Sequence, residues 1–356
     1  METEGIKYAG SKLKILPYIQ AVAGDLGAKT VLDGFSGSTR VSQMFSQMGF
    51  RVLSNDISVW SETFATAYLL HDRPISHYRE IIEHLNGVRR EYGWFSEHYG
   101  GSPDSCGKRP FQLKNTMKLD AVREEIDRIG LSGTDKAVAL TSLILALDSV
   151  DNTLGHYSAY LTGWSPRSYH DMELKVPLLC PHKEGNRVFR KDIFDLLKET
   201  ECDLAYFDPP YGSNNDKMPS SRIRYNAYYH IWTSIILNDR PQVFGKANRR
   251  EDSRDWKNTS VFEDYRKDKE GSFIAMDALR RLVREANARY ILLSYSSGGR
   301  VSRDELYGML CSEGKLLKVI ETDLRTNVMG QMRLTNKWAN TGRHTSEYLF
   351  LLEKQP

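Results

Sequence analysis

Cysteine is scarce in this sequence, and long apolar runs are missing from it. Four cysteines in 356 residues, Cys106, Cys180, Cys202 and Cys311, stand far apart with no paired spacing. That spacing argues against a disulfide framework or a thiolate zinc site and points to a reducing compartment. Cys180-Pro181-His182 offers two ligand types without a second pair, so no metal is expected. Nothing approaches the run of about 18 apolar residues that a membrane span needs, and no secretory leader is recognisable. A soluble, cytoplasmic protein is expected, with no membrane partner. Net charge is small, +3, which permits a polyanionic partner without demanding one. There is no internal repeat and no low-complexity tract. Core-forming material is abundant: 40% of residues are hydrophobic and 11% aromatic, too many for a disordered chain. The length suits one large α/β domain, or a catalytic domain carrying an inserted lobe.

The chain is organised around Asp208-Pro209-Pro210-Tyr211, which follows the apolar run Leu204-Ala205-Tyr206-Phe207. A short apolar run stopped by a charge and two prolines reads as a buried strand entering a rigid corner. Each proline fixes φ near −65° and has no N–H to donate. The corner then presents two oxygens, the Asp208 carboxylate and the Pro209 carbonyl, beside the Tyr211 ring. An exocyclic amine on a planar base can donate to both while its ring stacks on the tyrosine. The plain alternative is a strand stop with a turn.

Other stretches add to this. Lys7-Tyr8-Ala9-Gly10-Ser11-Lys12 sets two lysines around a Gly-Ser turn, either an anion site or a solvated basic end. A helix over Leu13 to Ala23 follows, with Leu16, Ile19 and Val22 on one face. Strand Thr30 to Leu32, the turn Asp33-Gly34-Phe35-Ser36-Gly37-Ser38-Thr39 and a helix over Arg40 to Met48 form the nucleotide-side unit of a doubly wound sheet. Strand Arg51 to Leu53 then ends in Asn55-Asp56, an acid about 20 positions past the glycine turn, where ribose hydroxyls are bound in such folds. Turn and acid together argue for an adenosine-containing cofactor.

From Pro74 to Pro181 the α/β rhythm breaks. A charged amphipathic helix is predicted over Leu119 to Ile129 and a buried one over Ala137 to Leu147. Asp151 to Tyr157, with Tyr160, Trp164, Arg167 and Tyr169, suits either nucleic-acid contact or a packed loop. Strand Val188 to Asp192 and a helix over Ile193 to Glu199 return the chain to the sheet. Between Gly212 and Glu270, Arg222, Arg224, Arg249, Arg250 and Arg254 interleave with Tyr225, Tyr228, Tyr229, Trp232 and Trp256. That pattern fits phosphate and base contacts or a solvated loop. A helix over Ser272 to Asn287, a strand at Tyr290 to Ser294, a helix at Glu305 to Cys311 and strands at Leu316 to Thr322 and Glu347 to Leu352 close the fold.

In this order, K-Y-x-G-S-K, D-G-F-S-G-S, N-D, a long insertion, a strand ending in Asp192 and D-P-P-Y, the chain resembles the alpha-group, Dam-like DNA N6-adenine methyltransferases. The resemblance runs from Lys7 to the strands near Leu352. It implies a Rossmann-like class I methyltransferase fold, a mostly parallel sheet with helices on both faces. The S-adenosylmethionine-dependent catalytic domain would comprise residues 1–73 and 182–356, with a target-recognition region inserted at 74–181. By the same resemblance Lys7, Tyr8, Ser11 and Lys12 lie against the methionine part of S-adenosylmethionine. Asp33, Phe35, Ser36, Gly37 and Ser38 cradle the cofactor, Asp56 with Ile57 contacts ribose and adenine, and Asp192 lies near the cofactor adenine. Asp208, Pro209, Pro210 and Tyr211 hold a flipped target adenine. Arg167, Arg222 and Arg224 are candidate contacts to double-stranded DNA, and a cognate restriction endonuclease is a candidate companion. Gly34 stands where many relatives have proline, and Thr39 where a second glycine is usual. An RNA adenine, a protein amide or cytosine N4 as target, and a non-catalytic DNA-binding role, are the alternatives.

Overall fold

The computed structural model describes residues 1–104, 108–181, 183–212, 225–254, 260–324 and 345–354. The apolar runs read from the sequence become the strands of one sheet. They are β1 (Thr30–Asp33), β2 (Arg51–Asn55), β3 (Arg187–Phe189), β4 (Glu201–Phe207), β5 (Asn287–Ser296), β6 (Gly314–Leu324) and β7 (Thr345–Lys354). Their order is β6-β7-β5-β4-β1-β2-β3. Neighbours from β3 to β5 pair in parallel, and β7 runs antiparallel to both β5 and β6. This is the mostly parallel, Rossmann-like sheet that the resemblance implies. Strand order reverses between β1 and β4, so the crevice beyond their carboxyl ends is where a ligand is expected in such a sheet.

Helices follow in chain order: α1 (Leu16–Gly24), α2 (Arg40–Gln47), α3 (Val59–Leu70), α4 (Ile75–Gly87), α5 (Trp94–Tyr99), α6 (Leu113–Arg128), α7 (Gly133–Val150), α8 (Ile193–Leu196), α9 (Tyr225–Tyr228), α10 (His230–Leu237), α11 (Ile274–Glu285) and α12 (Arg303–Glu313). The first helix starts later than its apolar spacing suggests, because Pro17 belongs in the first turn, where its missing N–H costs nothing. A short 3₁₀ turn at Lys12–Lys14 precedes it. Leu16, Ile19 and Val22 do face the core. Helix α7 is buried nearly all round, as its composition predicts.

Two readings of charge are corrected. Helix α6 presents Glu124, Asp127 and Arg128 on one exposed face, but its charge is not confined there: Asp120, Arg123 and Glu125 are buried. Asp120 accepts from the backbone N–H groups of Gly93, Phe95 and Ser96, and Arg123 donates to carbonyls of α10. The basic and aromatic stretch after Tyr225 is not simply a solvated loop. Tyr229, Ile231, Trp232 and Ile235 are core residues, and Arg250 is buried between Asp239 and Asp252 at 2.7 and 2.8 Å. Residues of α3, α6, α7 and α10 share one hydrophobic cluster with β1, β4 and β7. Among the described residues no helix is long and apolar enough to cross a membrane.

Candidate active site

A cavity of ≈ 380 Å³ opens at the switch point, within the size range of small-molecule sites. Its wall includes Tyr8, Ser11 and Lys12 from the N-terminal motif and Phe35 to Ser38 from the turn after β1. Asp56 and Ile57 after β2, Asp192 after β3, and Asp208 and Pro210 after β4 also line it. Five segments far apart in sequence thus meet because each follows a parallel strand or packs across the strand ends.

The turn after β1 is tied on three sides. Gly34 N donates to the Tyr206 carbonyl at 3.0 Å, Ser36 N to the Asn55 carbonyl at 2.8 Å, and Gly37 N to Asp56 Oδ2 at 2.9 Å. Gly37 has φ +48°, and a Cβ there would come 3.1 Å from the Tyr8 ring. A Cβ at Gly34 would lie 2.7 Å from Phe207 Cδ1, so in this chain the glycine is imposed by the aromatic ring that ends β4. Thr39 adopts the left-handed conformation, φ 64°, that its glycine counterpart would take freely. Its hydroxyl donates to the Ser38 carbonyl at 2.7 Å and accepts from Gln43 Nε2 at 3.1 Å, which offsets part of the strain.

Three carboxylates stand around the cavity with different tasks. Asp33 lies beneath the turn rather than in the wall, and Ser42 Oγ donates to it at 2.6 Å. Burial outweighs that hydrogen bond and raises it to about 7. Asp56 accepts from Gly37 N, Ser58 N and Ser58 Oγ, at 2.9, 2.9 and 2.6 Å. Burial still raises it above the ordinary carboxylate range. Asp208 has 17% of its side chain exposed and pairs with Lys12 Nζ at 2.9 Å. Burial raises it, the Lys12 ammonium opposes that rise, and Glu347 adds to it. Lys12 is itself held strongly protonated despite its burial, by Asp208 first among its partners.

Other residues named from the sequence fall around this centre. Pro209 is buried, and neither it nor Tyr211 is part of the cavity wall. The Tyr211 ring lies 5.3 Å from Tyr295 and 5.4 Å from the Lys12 ammonium, and its carbonyl accepts from Arg300 N at 2.8 Å. Asp192 caps α8, accepting from Phe194 N at 2.9 Å. Lys7 does not reach the cavity. Its backbone N–H donates to Asp148 at 2.9 Å and its ammonium to Asp151 at 2.9 Å, and Arg167 meets the same Asp151 at 2.9 Å. Lys7 and Arg167 therefore clamp the N-terminal motif and the loop at Thr153 to the end of α7. Arg222 and Arg224 lie outside the described residues.

The structure adds residues that the sequence reading did not assign. Phe262 meets Phe35 edge-on at 5.4 Å and lines the cavity with Val261 and Glu263. Asn55 bridges two turns, donating to the carbonyls of Gly34 and Lys191 at 3.2 Å. Tyr225 stacks on Tyr8 at 5.3 Å. Glu347, at the start of β7, accepts from Lys12 Nζ at 2.6 Å and from Ser294 Oγ at 2.9 Å. A charge opening the otherwise apolar run Tyr348 to Leu352 was the one sequence signal for it.

Comparison with known proteins agrees with this geometry. The chain is similar to the Type II methyltransferase M.NlaIII of Neisseria lactamica, 27% identical over 358 residues that cover 98% of this chain and 99% of that one. It is similar to the modification methylase StsI of Streptococcus sanguinis, 26% identical over 99% of this chain and 52% of that protein. The Type II methyltransferase M.FokI of Planomicrobium okeanokoites is 26% identical over 98% of this chain and 53% of its own length. The chain thus spans about half the length of StsI and M.FokI and nearly all of M.NlaIII. The family model for the D12 class N6 adenine-specific DNA methyltransferases matches residues 8–309, from the Tyr8 that lies against the Gly37 turn to within α12, and the chain belongs to that family.

Proposed function

We propose that the chain methylates N6 of adenine at a specific site in double-stranded DNA, with S-adenosylmethionine as donor, alongside a restriction endonuclease of the same specificity. The observation that carries this reading is one cavity walled both by the Gly37 turn with Asp56 and by Asp208 with Pro210. The residues present suit the donor. Asp56 is a hydrogen-bond acceptor for ribose hydroxyls, the Phe35–Phe262 pair is an apolar surface for a purine, and the N-terminal motif with Tyr8, Ser11 and Lys12 suits an amino-acid moiety. When bound, S-adenosylmethionine supplies an electrophilic methyl group.

The chain's own residues do the rest. The N6 lone pair of adenine is conjugated into the ring and is a weak nucleophile. Asp208 and the Pro209 carbonyl would accept hydrogen bonds from the two amine N–H groups, which draws the nitrogen toward tetrahedral geometry and frees the lone pair. Once methylated, the nitrogen gives up one proton, for which the Asp208 carboxylate is the adjacent acceptor. That role requires Asp208 ionised; burial raises it to about 7, and the Lys12 ammonium at 2.9 Å opposes that rise. Taking adenine out of the duplex costs a few kcal/mol. Stacking on Tyr211, whose ring lies outside the wall but 5.4 Å from the Lys12 ammonium that lines it, would return about 1–3 kcal/mol of this. Holding both partners in line then supplies much of the rate.

The test is methyl transfer from labelled S-adenosylmethionine to duplex DNA, followed by nucleoside analysis. N6-methyl-2′-deoxyadenosine is expected from the parent chain. Asp208→Ala is expected to keep cofactor binding and lose transfer. Label on cytosine N4, or an Asp208→Ala chain with parental turnover, contradicts the reading.

A further inference from the structure

Glu347 is a second anion placed where one anion is already buried. Only 3% of its side chain is exposed, and it shares the Lys12 ammonium with Asp208, at 2.6 Å against 2.9 Å. It is fixed at both ends: Ser294 Oγ donates to the same carboxylate oxygen at 2.9 Å, and its own carbonyl accepts from Thr322 Oγ1 at 3.1 Å. Stability alone does not ask for this. A buried carboxylate is costly even when paired, and an apolar residue of similar volume usually does as well or better. Tyr348 to Leu352, which follow it on β7, are buried apolar residues of that kind.

The chemistry does ask for it. A lysine with one buried carboxylate partner would hold that partner tightly and compete with any amine for its oxygens. A second carboxylate on the other side draws the ammonium back. Lys12 Nζ donates to Glu347 Oε1 at 2.6 Å and stands as an ion-pair partner 2.9 Å from Asp208 Oδ1.

We propose that Glu347 is a positioning residue for methyl transfer, holding the Lys12 ammonium so that Asp208 keeps an oxygen free for the amine of the target base. It acts through Lys12 and touches neither substrate. The inference rests on the methyl-transfer reading for its purpose, but its geometry stands apart from that reading. Charged and titratable groups face Asp208 from every side: Lys12 and Tyr8 from the N-terminal motif, Asp33 from β1, Tyr206 from β4, Tyr211 from the corner, Tyr225 from α9 and Glu347 from β7. Of the carboxylates among these, Glu347 is the one held by the same ammonium as Asp208.

The experiment titrates aspartates labelled with carbon-13 at the carboxyl carbon, the Asp208 signal being assigned by its loss in Asp208→Asn. In Glu347→Gln the Asp208 midpoint is expected to fall by about one pH unit, since a neighbouring like charge is gone. An unmoved midpoint overturns the proposal. In the same variant the plateau kcat for methyl transfer is expected to drop about tenfold with the cofactor KM little changed, because the interaction lost serves the reacting amine and not the donor. A parental plateau also overturns it. Glu347→Asp, which keeps the charge and withdraws it by one methylene, serves if the glutamine variant does not fold. Its acid limb is expected to hold its place while the plateau falls, and a parental plateau again refutes. A parent chain that transfers no methyl to DNA sinks the reading above, while the titration still tests the Glu347–Lys12–Asp208 arrangement.

Discussion

Replacing Lys12 by methionine removes the cation on which two recessed carboxylates depend. Lys12 has 8% of its side chain exposed, Asp208 17% and Glu347 3%, so water replaces little of what is lost. Breaking a buried ion pair by deleting one partner costs about 3–5 kcal/mol. Unfolding a chain of 356 residues at about 2.1 cal/mol/K per residue carries an entropy near 0.75 kcal/mol/K. The expected fall in Tm is therefore about 4–7 °C at pH 8, above the value near 7 to which Asp208 is raised. Toward pH 6 Asp208 takes up a proton and the penalty shrinks. Activity moves the other way: with Asp208 protonated at neutral pH, kcat falls on the order of a hundredfold and recovers partly as pH rises. Scanning calorimetry at the two pH values, with a kcat–pH profile beside it, reads both effects. An unchanged Tm at pH 8, or a loss of stability that does not depend on pH, refutes the claim that Lys12 is the counter-charge of this site.

Two further outcomes follow from the same geometry. Asp33 and Asp208 are each raised to about 7 and Asp148 to about 6, in every case chiefly by burial. The folded state holds these protons more tightly than the unfolded chain, so their contribution is full below about pH 4 and lost as pH rises through their folded values. The depressed carboxylates Glu125 and Asp127, both at about 2, act only at lower pH. Tm of the ligand-free protein should accordingly fall between pH 6 and pH 8, and a flat or rising curve contradicts the assignment. Gly34→Ala places a Cβ 2.7 Å from Phe207 Cδ1, a ring with no exposure. A loss of about 1–3 kcal/mol by overpacking is expected in chemical denaturation, and a neutral result means that the turn is looser than its hydrogen bonds imply.

Much of this was legible because it is local. Leu204 to Phe207 before two prolines, and Val31-Leu32 before a run of small residues, are strand and turn signals contained within a dozen positions. They place Asp208 and Gly37 at the same edge of any doubly wound sheet. What sequence could not give depends on partners far along the chain. Lys7 and Lys12 lie five apart in one basic motif, yet the first is claimed by Asp148 and Asp151 and the second by Asp208 and Glu347. Arg250 looked like a phosphate contact until Asp239 and Asp252 closed on it. The apolar content of His230 to Leu237 was hidden by the basic and aromatic residues around it, and its burial against α3 and α7 decided the matter.

The reversal of β7 has an effect on how the sheet comes into being. Of the seven strands it is made last, yet it sits between β5 and β6 rather than at an edge. Until it inserts, β5 has an unpaired border and β6 has no neighbour in the sheet. A nascent chain that already carries both the Gly37 turn and the double-proline corner would still have Lys12 facing one carboxylate where the finished protein has two. Assembly of the Lys12–Asp208–Glu347 charge pattern is thereby deferred until β7 has been made, after the other six strands, as folding from the N-terminus requires.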